Sequence, residues 1–352
     1  MAELLDYLKR AVEDQASDLF IVAGGRVSEK ADGRIRAISE EKVYPKETDQ
    51  LITGLYAMAA RPMDQYRQTG DDDFSFAVPG LARFRVNAYR QRGSLAAVVR
   101  LVAFDIPDYR TLHIPEAVMD LADVSHGMIL VTGTAGSGKS TTQACIIDRI
   151  NRTRDSHIIT LEDPIEYLHR DQRSIISQRE IAIDTSDYLS ALRACLRQAP
   201  DVILLGEMRD HETIRTAMTA AETGHLLIAT LHTNGAVNTI DRIIDSFPPA
   251  QQTQIRVQLS MVLHTVVSQR LLPDREGGLV PAYEIMHITP AIRSMIRDSK
   301  SHQIDNAIAA GAAEGMCSMD QSILKLYQDG TITRQTALDY ADHPEQMLRR
   351  LG

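Results

Sequence analysis

Residues 128 to 142, MILVTGTAGSGKSTT, place Gly133, Gly138, Lys139 and Ser140 at the G-x-x-x-x-G-K-[ST] spacing of a phosphate-binding loop. The apolar run before the loop predicts a strand, and the residues from Ser140 onward predict a helix. Backbone N–H groups of Gly133, Thr134, Ala135, Gly136, Ser137, Gly138 and Thr141 can then surround the phosphates of a nucleotide. In that setting Lys139 reaches the β- and γ-oxygens, and Ser140 supplies a hydroxyl to Mg²⁺. The expected ligands are therefore ATP and Mg²⁺.

Two later runs carry acids that such a loop needs. In DVILLGEMRD the apolar segment 202 to 205 reads as a buried strand, and Glu207 lies just past its carboxyl end, where open parallel sheets place ligands. Glu207 is expected on the Mg²⁺ or water side of the phosphates, whereas Asp201, at the other end of that strand, reads as a turn residue. In HIITLEDPIEY, Glu162 and Asp163 follow a second strand, and an acid there can orient or deprotonate the attacking water. Glu162 is the first choice for that base and Glu166 a second; helix N-capping is the alternative for all three acids. His225 and His232 flank a third strand. Across one strand they would stand about 23 Å apart and point to opposite faces, so they cannot share a metal. Only His232, at the carboxyl end, belongs beside the phosphates; His225 belongs to the far edge of the sheet or to a subunit contact. In LARFRVNAYR, Arg83 and Arg85 share one strand face, as a solvated surface or as arginines offered to a neighbour's nucleotide.

These residues need a scaffold, and the patterning supplies one. Period-two runs with turns at Asp32-Gly33, Pro79-Gly80 and Arg92-Gly93 predict an antiparallel meander, flanked by helical patterns at 3–14 and 47–60. This gives a small α+β domain over 1–104. The proline-containing stretch 105–116 reads as a linker. From 117 to 352, short apolar runs alternate with helical patterns near 140, 186–198, 211–222 and 236–245, the signature of an α/β domain with a mostly parallel sheet. The tail, 251 to 350, is expected to be mainly helical, including VQLSMVLHTVVSQRLL.

Composition narrows the function class. A charge of −9 over 352 residues, with 44% hydrophobic and 24% charged content, fits a globular protein and argues against sequence-independent nucleic-acid binding as its main role. Three widely spaced cysteines, Cys145, Cys195 and Cys317, suggest a reducing compartment and no structural zinc. No apolar stretch approaches the roughly 20 residues of a membrane span, and the charged amphipathic start is unlike a signal peptide, so the chain is expected to be cytoplasmic.

With these residues in hand, the chain resembles the type IV pilus retraction, or twitching-motility, ATPases (PilT-like) of the secretion ATPase superfamily. The resemblance runs through ASDLFIVAG, FRVNAYRQRG, GTAGSGKSTT, LEDPIEYLH, PDVILLGEMRDHETI, AAETGHLLIATLHT, IDRIIDSFP and AIRSMI. It implies a RecA-like P-loop ATPase domain preceded by a PAS-like domain, and a homohexameric ring acting on an inner-membrane pilus platform protein, peripheral at the cytoplasmic face of the cell membrane. Other pilus ATPases are further partners it implies; no specific nucleic acid is expected. Carried over by motif, Glu162 is the catalytic glutamate, Glu207 the Walker B acid, and His232 the phosphate-side histidine. Arg83, Arg85 and, less securely matched, Arg100 are the arginines presented to nucleotide. The chain shows neither the tetracysteine motif nor the extra N-terminal domain usual in assembly-type relatives, which favours retraction over assembly. It departs from the family at VSEKADG, at Ala199 and at TNGA after His232. A DNA-uptake or secretion motor, an accessory ATPase and a P-loop phosphotransferase remain the competing readings.

Overall fold

A computed structural model describes residues 2–31, 33–102 and 106–351. Contacts divide it into two compact units, 1–105 with 166–168, and 106–165 with 169–352. The expected boundary at residue 104 and Asp32 of the expected Asp32-Gly33 turn lie outside the described residues.

The first unit contains helix α1 (Ala2–Glu13), strands β1 (Asp18–Val22), β2 (Arg26–Ala31) and β3 (Arg34–Lys42), helices α2 (Pro45–Met58) and α3 (Asp64–Thr69), and strands β4 (Asp71–Val78), β5 (Ala82–Gln91) and β6 (Ser94–Val102). The strands form one sheet in the order β3-β2-β1-β6-β5-β4, antiparallel throughout. Arg92 and Gly93 both have positive φ, 49° and 79°, as a two-residue type I′ hairpin turn requires. Alternation is clean along β5: Phe84, Val86 and Ala88 are fully buried, while Arg83 and Arg85 take the other face.

The second unit begins with the short helix α4 (Glu116–Met119). It then runs through β7 (Gly127–Thr132), α5 (Lys139–Thr153), β8 (His157–Glu162), β9 (Ile175–Glu180), α6 (Tyr188–Cys195), β10 (Val202–Leu205), α7 (His211–Glu222), β11 (Leu226–Leu231), α8 (Ala236–Asp245), α9 (Pro249–Val262), β12 (Leu263–Pro273) and β13 (Leu279–His287). It ends in five helices: α10 (Pro290–Arg297), α11 (Ile304–Ala310), α12 (Met319–Gln328), α13 (Arg334–Tyr340) and α14 (Pro344–Arg350). The sheet order is β13-β12-β7-β11-β10-β8-β9, parallel except at the β12–β13 pair. This is the α/β arrangement the alternating pattern predicts.

Both faces of this sheet are covered, which is why β7, β10 and β11 are apolar along their length. Met128, Leu130, Ile203, Leu205, Leu227 and Ala229 pack with α6 to α11 on one face. Their neighbours Ile129, Val131, Val202, Leu204, Leu226 and Ile228 pack with α4 and α5 on the other. Interleaving of the two clusters is the period-two geometry of strands. The chain makes the sheet's carboxyl edge available for polar groups because its apolar residues are spent on the two faces.

The structure corrects one expectation. The run VQLSMVLHTVVSQRLL is not one helical piece: α9 ends at Val262, and Leu263 to Leu272 belong to β12, beside β7 and antiparallel to β13. A short apolar run fits a buried strand as well as a helix, and the β-branched Thr265-Val266-Val267 decides in favour of the sheet. The tail is helical over 251–262 and again from Pro290 onward, with the β12–β13 hairpin between. Strand β9 is an element the apolar patterning does not announce, because 175–180 shows only partial burial and lacks the apolar signal of its neighbours.

Candidate nucleotide site

Parallel register brings the chemistry to one edge. Leu161 lies level with Leu205, Leu205 with Ala229, and Leu231 with Thr132. The residues that follow are Glu162, Glu207, His232 and Gly133, so four strands deliver them to the same end of the sheet. His225 precedes β11 and sits at the opposite end, where its Nδ1 lies 2.9 Å from the Ala220 carbonyl and 3.2 Å from the Thr223 hydroxyl.

The phosphate-binding loop is shaped by packing against β12. Gly133 has φ of 143°, and a Cβ there would lie 2.4 Å from the Gln269 carbonyl oxygen and 2.6 Å from Ser137 Oγ. At Gly138 a Cβ would approach Gln269 Nε2 to 2.8 Å. Gln269 is itself held by the Thr142 hydroxyl, which donates to its Oε1 at 2.8 Å. The loop feeds α5, whose N-cap Gly138 offers no side-chain cap. The N-terminus of α5, with the positive end of the helix dipole, is therefore turned to the loop. Lys139 is buried and donates to the Gly133 and Thr134 carbonyls at 2.9 and 2.8 Å. Thr134, Ala135 and Gly136 are exposed, while Ser140 and Thr141 are half-buried. Ser137 Oγ and Thr132 Oγ1 are buried without a hydrogen-bond partner. A cavity of about 240 Å³ continues from Gly138, Thr141 and Thr142 to Gln269 and Tyr283.

The two acids are held differently. Glu162 ends β8, and its Oε1 accepts from the Thr160 hydroxyl at 2.6 Å and from Gln178 Nε2 at 3.2 Å. Glu207 is mostly buried, pairs with Arg209 and lies 3.6 Å from His232 Nε2. Arg209 also approaches Asp163 at 3.9 Å, and its hydrogen bond to Glu207 raises the guanidinium pKa further. Gly206 makes the approach of the two strands possible: its N–H donates to the Leu161 carbonyl at 2.8 Å, and its own carbonyl accepts from Thr230. The N-capping alternative for Glu162, Asp163 and Glu166 is not realised, because 163–174 contains no helix. Glu166 is exposed.

Arg83, Arg85 and Arg100 lie in the antiparallel sheet of the first unit. Arg85 stands opposite Arg100 across the β5–β6 pair, and Arg100 Nε donates to Asp18 Oδ1 at 2.9 Å. Four contributors escaped the sequence reading: Gln178, Gln269, Tyr188 and Arg209. The first two sit on strands that periodicity did not reveal. Arg209, two residues after Glu207, was within sight. The Tyr188 phenol lies against Gly206, its pKa raised by burial and then by Asp163 and Glu207.

Among the described residues no cluster of three or more His, Cys, Asp or Glu side chains suits a metal ion, and no helix is long and apolar enough to cross a membrane. The cysteines are free, with burial pushing the Cys145 and Cys195 thiols up to about 12 and about 11. At neutral pH they are protonated and unreactive.

Comparison with known proteins places this geometry. The family model described as "Type II/IV secretion system protein" matches residues 2–276. The type IV pilus retraction ATPase PilT of Pseudomonas aeruginosa is 42% identical over 343 residues, covering 97% of this chain and 99% of that protein. A twitching motility protein of Neisseria gonorrhoeae is 43% identical, covering 90% and 85%. Among solved structures, the pilus retraction motor PilT with bound ADP superposes with a TM-score of 0.90 at 44% identity, covering 98% of each chain. The Legionella pneumophila ATPase DotB gives 0.81 at 25% identity, covering 96% and 93%. The chain therefore belongs to the type II/IV secretion system protein family, and within it stands with the PilT-like pilus retraction ATPases.

Proposed function

We propose that the chain hydrolyses ATP as a homohexameric motor that retracts a type IV pilus through an inner-membrane platform protein, at the cytoplasmic face of the membrane. The observation that carries this reading is the placement of Glu162, Glu207 and His232 at the carboxyl ends of strands sharing one sheet with a glycine-built phosphate loop. Full-length likeness to PilT supports the retraction role.

In this reading Lys139 and the N–H groups of 133–141 bind the β- and γ-phosphates. Glu162 orients the water and accepts its proton; the Thr160 and Gln178 hydrogen bonds fix that carboxylate. The hydroxyl and carboxylate of Ser140 and Glu207 are hard oxygen donors and would hold Mg²⁺. When bound, that ion neutralises charge on the phosphates. His232, beside Glu207, contacts the γ-phosphate side. Arg83, Arg85 and Arg100 are offered to nucleotide within the ring, where an arginine stabilises charge in the transferring phosphoryl group.

The test is a count of surface pili, with live labelling of retraction, in cells lacking the protein and in cells carrying only Glu162→Gln. More pili that extend and never shorten are expected in both. Bald cells would reverse the direction to assembly, and unchanged pili would remove the pilus role.

A further inference from the structure

The β12–β13 hairpin does more than close the sheet. Ser268 and Glu284 are directly opposed across it, and Ser268 is level with Thr132 at the end of β7, next to the phosphate loop. Both side chains are buried. Neither is needed by the hairpin, whose ladder is made by its backbone.

They serve instead the segment after β11. The Gly235 N–H donates to Ser268 Oγ at 2.9 Å, and the next amide, Ala236 N–H, donates to Glu284 Oε1 at 2.7 Å. These amides open α8, whose N-cap Gly235 has φ of 84° and no side chain of its own to cap with. Helix N-terminal N–H groups need acceptors, and a carboxylate there gains from the helix dipole. A buried carboxylate is costly unless it is hydrogen-bonded. Here the cost is met by amides outside its own hairpin. Within the same segment, Thr233 and Thr239 hydroxyls are 2.7 Å apart, and the Thr239 hydroxyl donates to the Gly235 carbonyl. The turn leading from His232 into α8 is thus clamped at both ends, with His232 only three residues before the first clamped amide.

We propose that Glu284, paired with Ser268, is a positioning residue that fixes the His232 loop against Glu207. The proposal rests on the ATPase reading, since it takes His232 to act at the phosphates. Burial raises the Glu284 pKa and the Asp342 and Asp305 charges raise it further, while the Ala236 and Met319 amides hold it down.

The test is steady-state ATP hydrolysis by the full-length protein, with hydrogen exchange of the Gly235 and Ala236 amides. Glu284→Ala is expected to lower kcat roughly ten-fold, the scale set by sub-ångström misplacement of a group at the site. The KM for ATP should stay within about two-fold, because the phosphate loop is not touched, and the two amides should exchange faster. Glu284→Gln keeps an oxygen acceptor for Ala236 and should recover kcat to within about three-fold. In a His232→Ala background, Glu284→Ala should cost nothing further. An equal loss in both backgrounds would overturn the proposal. If His232→Ala alone leaves kcat intact, the role given to His232 fails, and exchange decides the positioning: unchanged protection in Glu284→Ala overturns that as well. Should Glu284→Ala fail to fold, Ser268→Ala, which removes only the Gly235 acceptor, goes through the same cycle with the same criteria.

Discussion

Gly206 is the residue on which the approach of the two acids depends, and Gly206→Ala is the sharpest test of the site. The added Cβ would stand 2.7 Å from the Tyr188 hydroxyl, 3.0 Å from the Leu161 carbonyl oxygen and 3.4 Å from Glu162 Cα. The tyrosine end can swing aside. The Leu161 carbonyl cannot, because it accepts the Gly206 N–H at 2.8 Å within a parallel sheet. Relief therefore has to come from the turn carrying Glu207, displaced by several tenths of an ångström away from Glu162. Overpacking of this kind costs about 1–3 kcal/mol of stability, and a shift of up to an ångström at the reacting centre costs up to about 100-fold in rate. We expect Gly206→Ala to bind ATP with near-normal affinity, since Lys139 and its loop are untouched, and to lose roughly 10- to 100-fold in kcat. Adding Tyr188→Phe should return part of the stability and little of the rate, because the carbonyl contact remains. Phosphate release, fluorescent-nucleotide binding and urea unfolding measure the three quantities. Full turnover in Gly206→Ala would refute the claim that this turn sets the spacing of Glu162 and Glu207.

Other outcomes follow from the same geometry. Lys139→Ala should abolish nucleotide binding, whereas Glu162→Gln should keep binding and lose most turnover; a glutamine variant with normal phosphate release would remove Glu162 as the base. Arg85→Ala should lower turnover without unfolding the antiparallel sheet, and unchanged kinetics would return Arg83 and Arg85 to a solvated surface. Burial holds the His169 pKa down from 6.5 to about 4, so the unfolded chain takes up this proton first as pH falls. Stability linked to His169 is then complete above pH 6.5 and lost between about 6.5 and 4, by on the order of 3 kcal/mol. Burial depresses His264 and His287 in the same direction. Urea unfolding from pH 7 to 4.5 should show this slope, and a His169→Gln variant with an equally steep slope would show that the histidine does not cause it.

How much of this was legible in the sequence depends on whether a residue's signal is local. The phosphate loop, Glu207 and His232 each follow an apolar run too short for a helix and closed by glycine or a polar residue, which reads as a buried strand, so their shared edge could be read from order alone. Arg83 and Arg85 declare their common face by alternation with Phe84 and Val86. The partners of these residues carry no such mark. Gln178 acts on Glu162 only because β9 pairs in parallel with β8, bringing Thr160 level with Gln178, and β9 is too polar to announce itself. Gln269, Ser268 and Glu284 sit on a hairpin whose first strand continues helix α9 without a break, and Val262-Leu263 carries no proline or glycine to mark the change. A sequence displays the groups that meet the substrate, since these need particular types at particular spacings. The groups that hold them in place need only an acceptor or a donor at the right point in space, and many residue types and positions supply that. The second set becomes visible only when the sheet is assembled, which is why Glu284, 77 positions from Glu207 in the chain, could not be connected to it before the hairpin was seen.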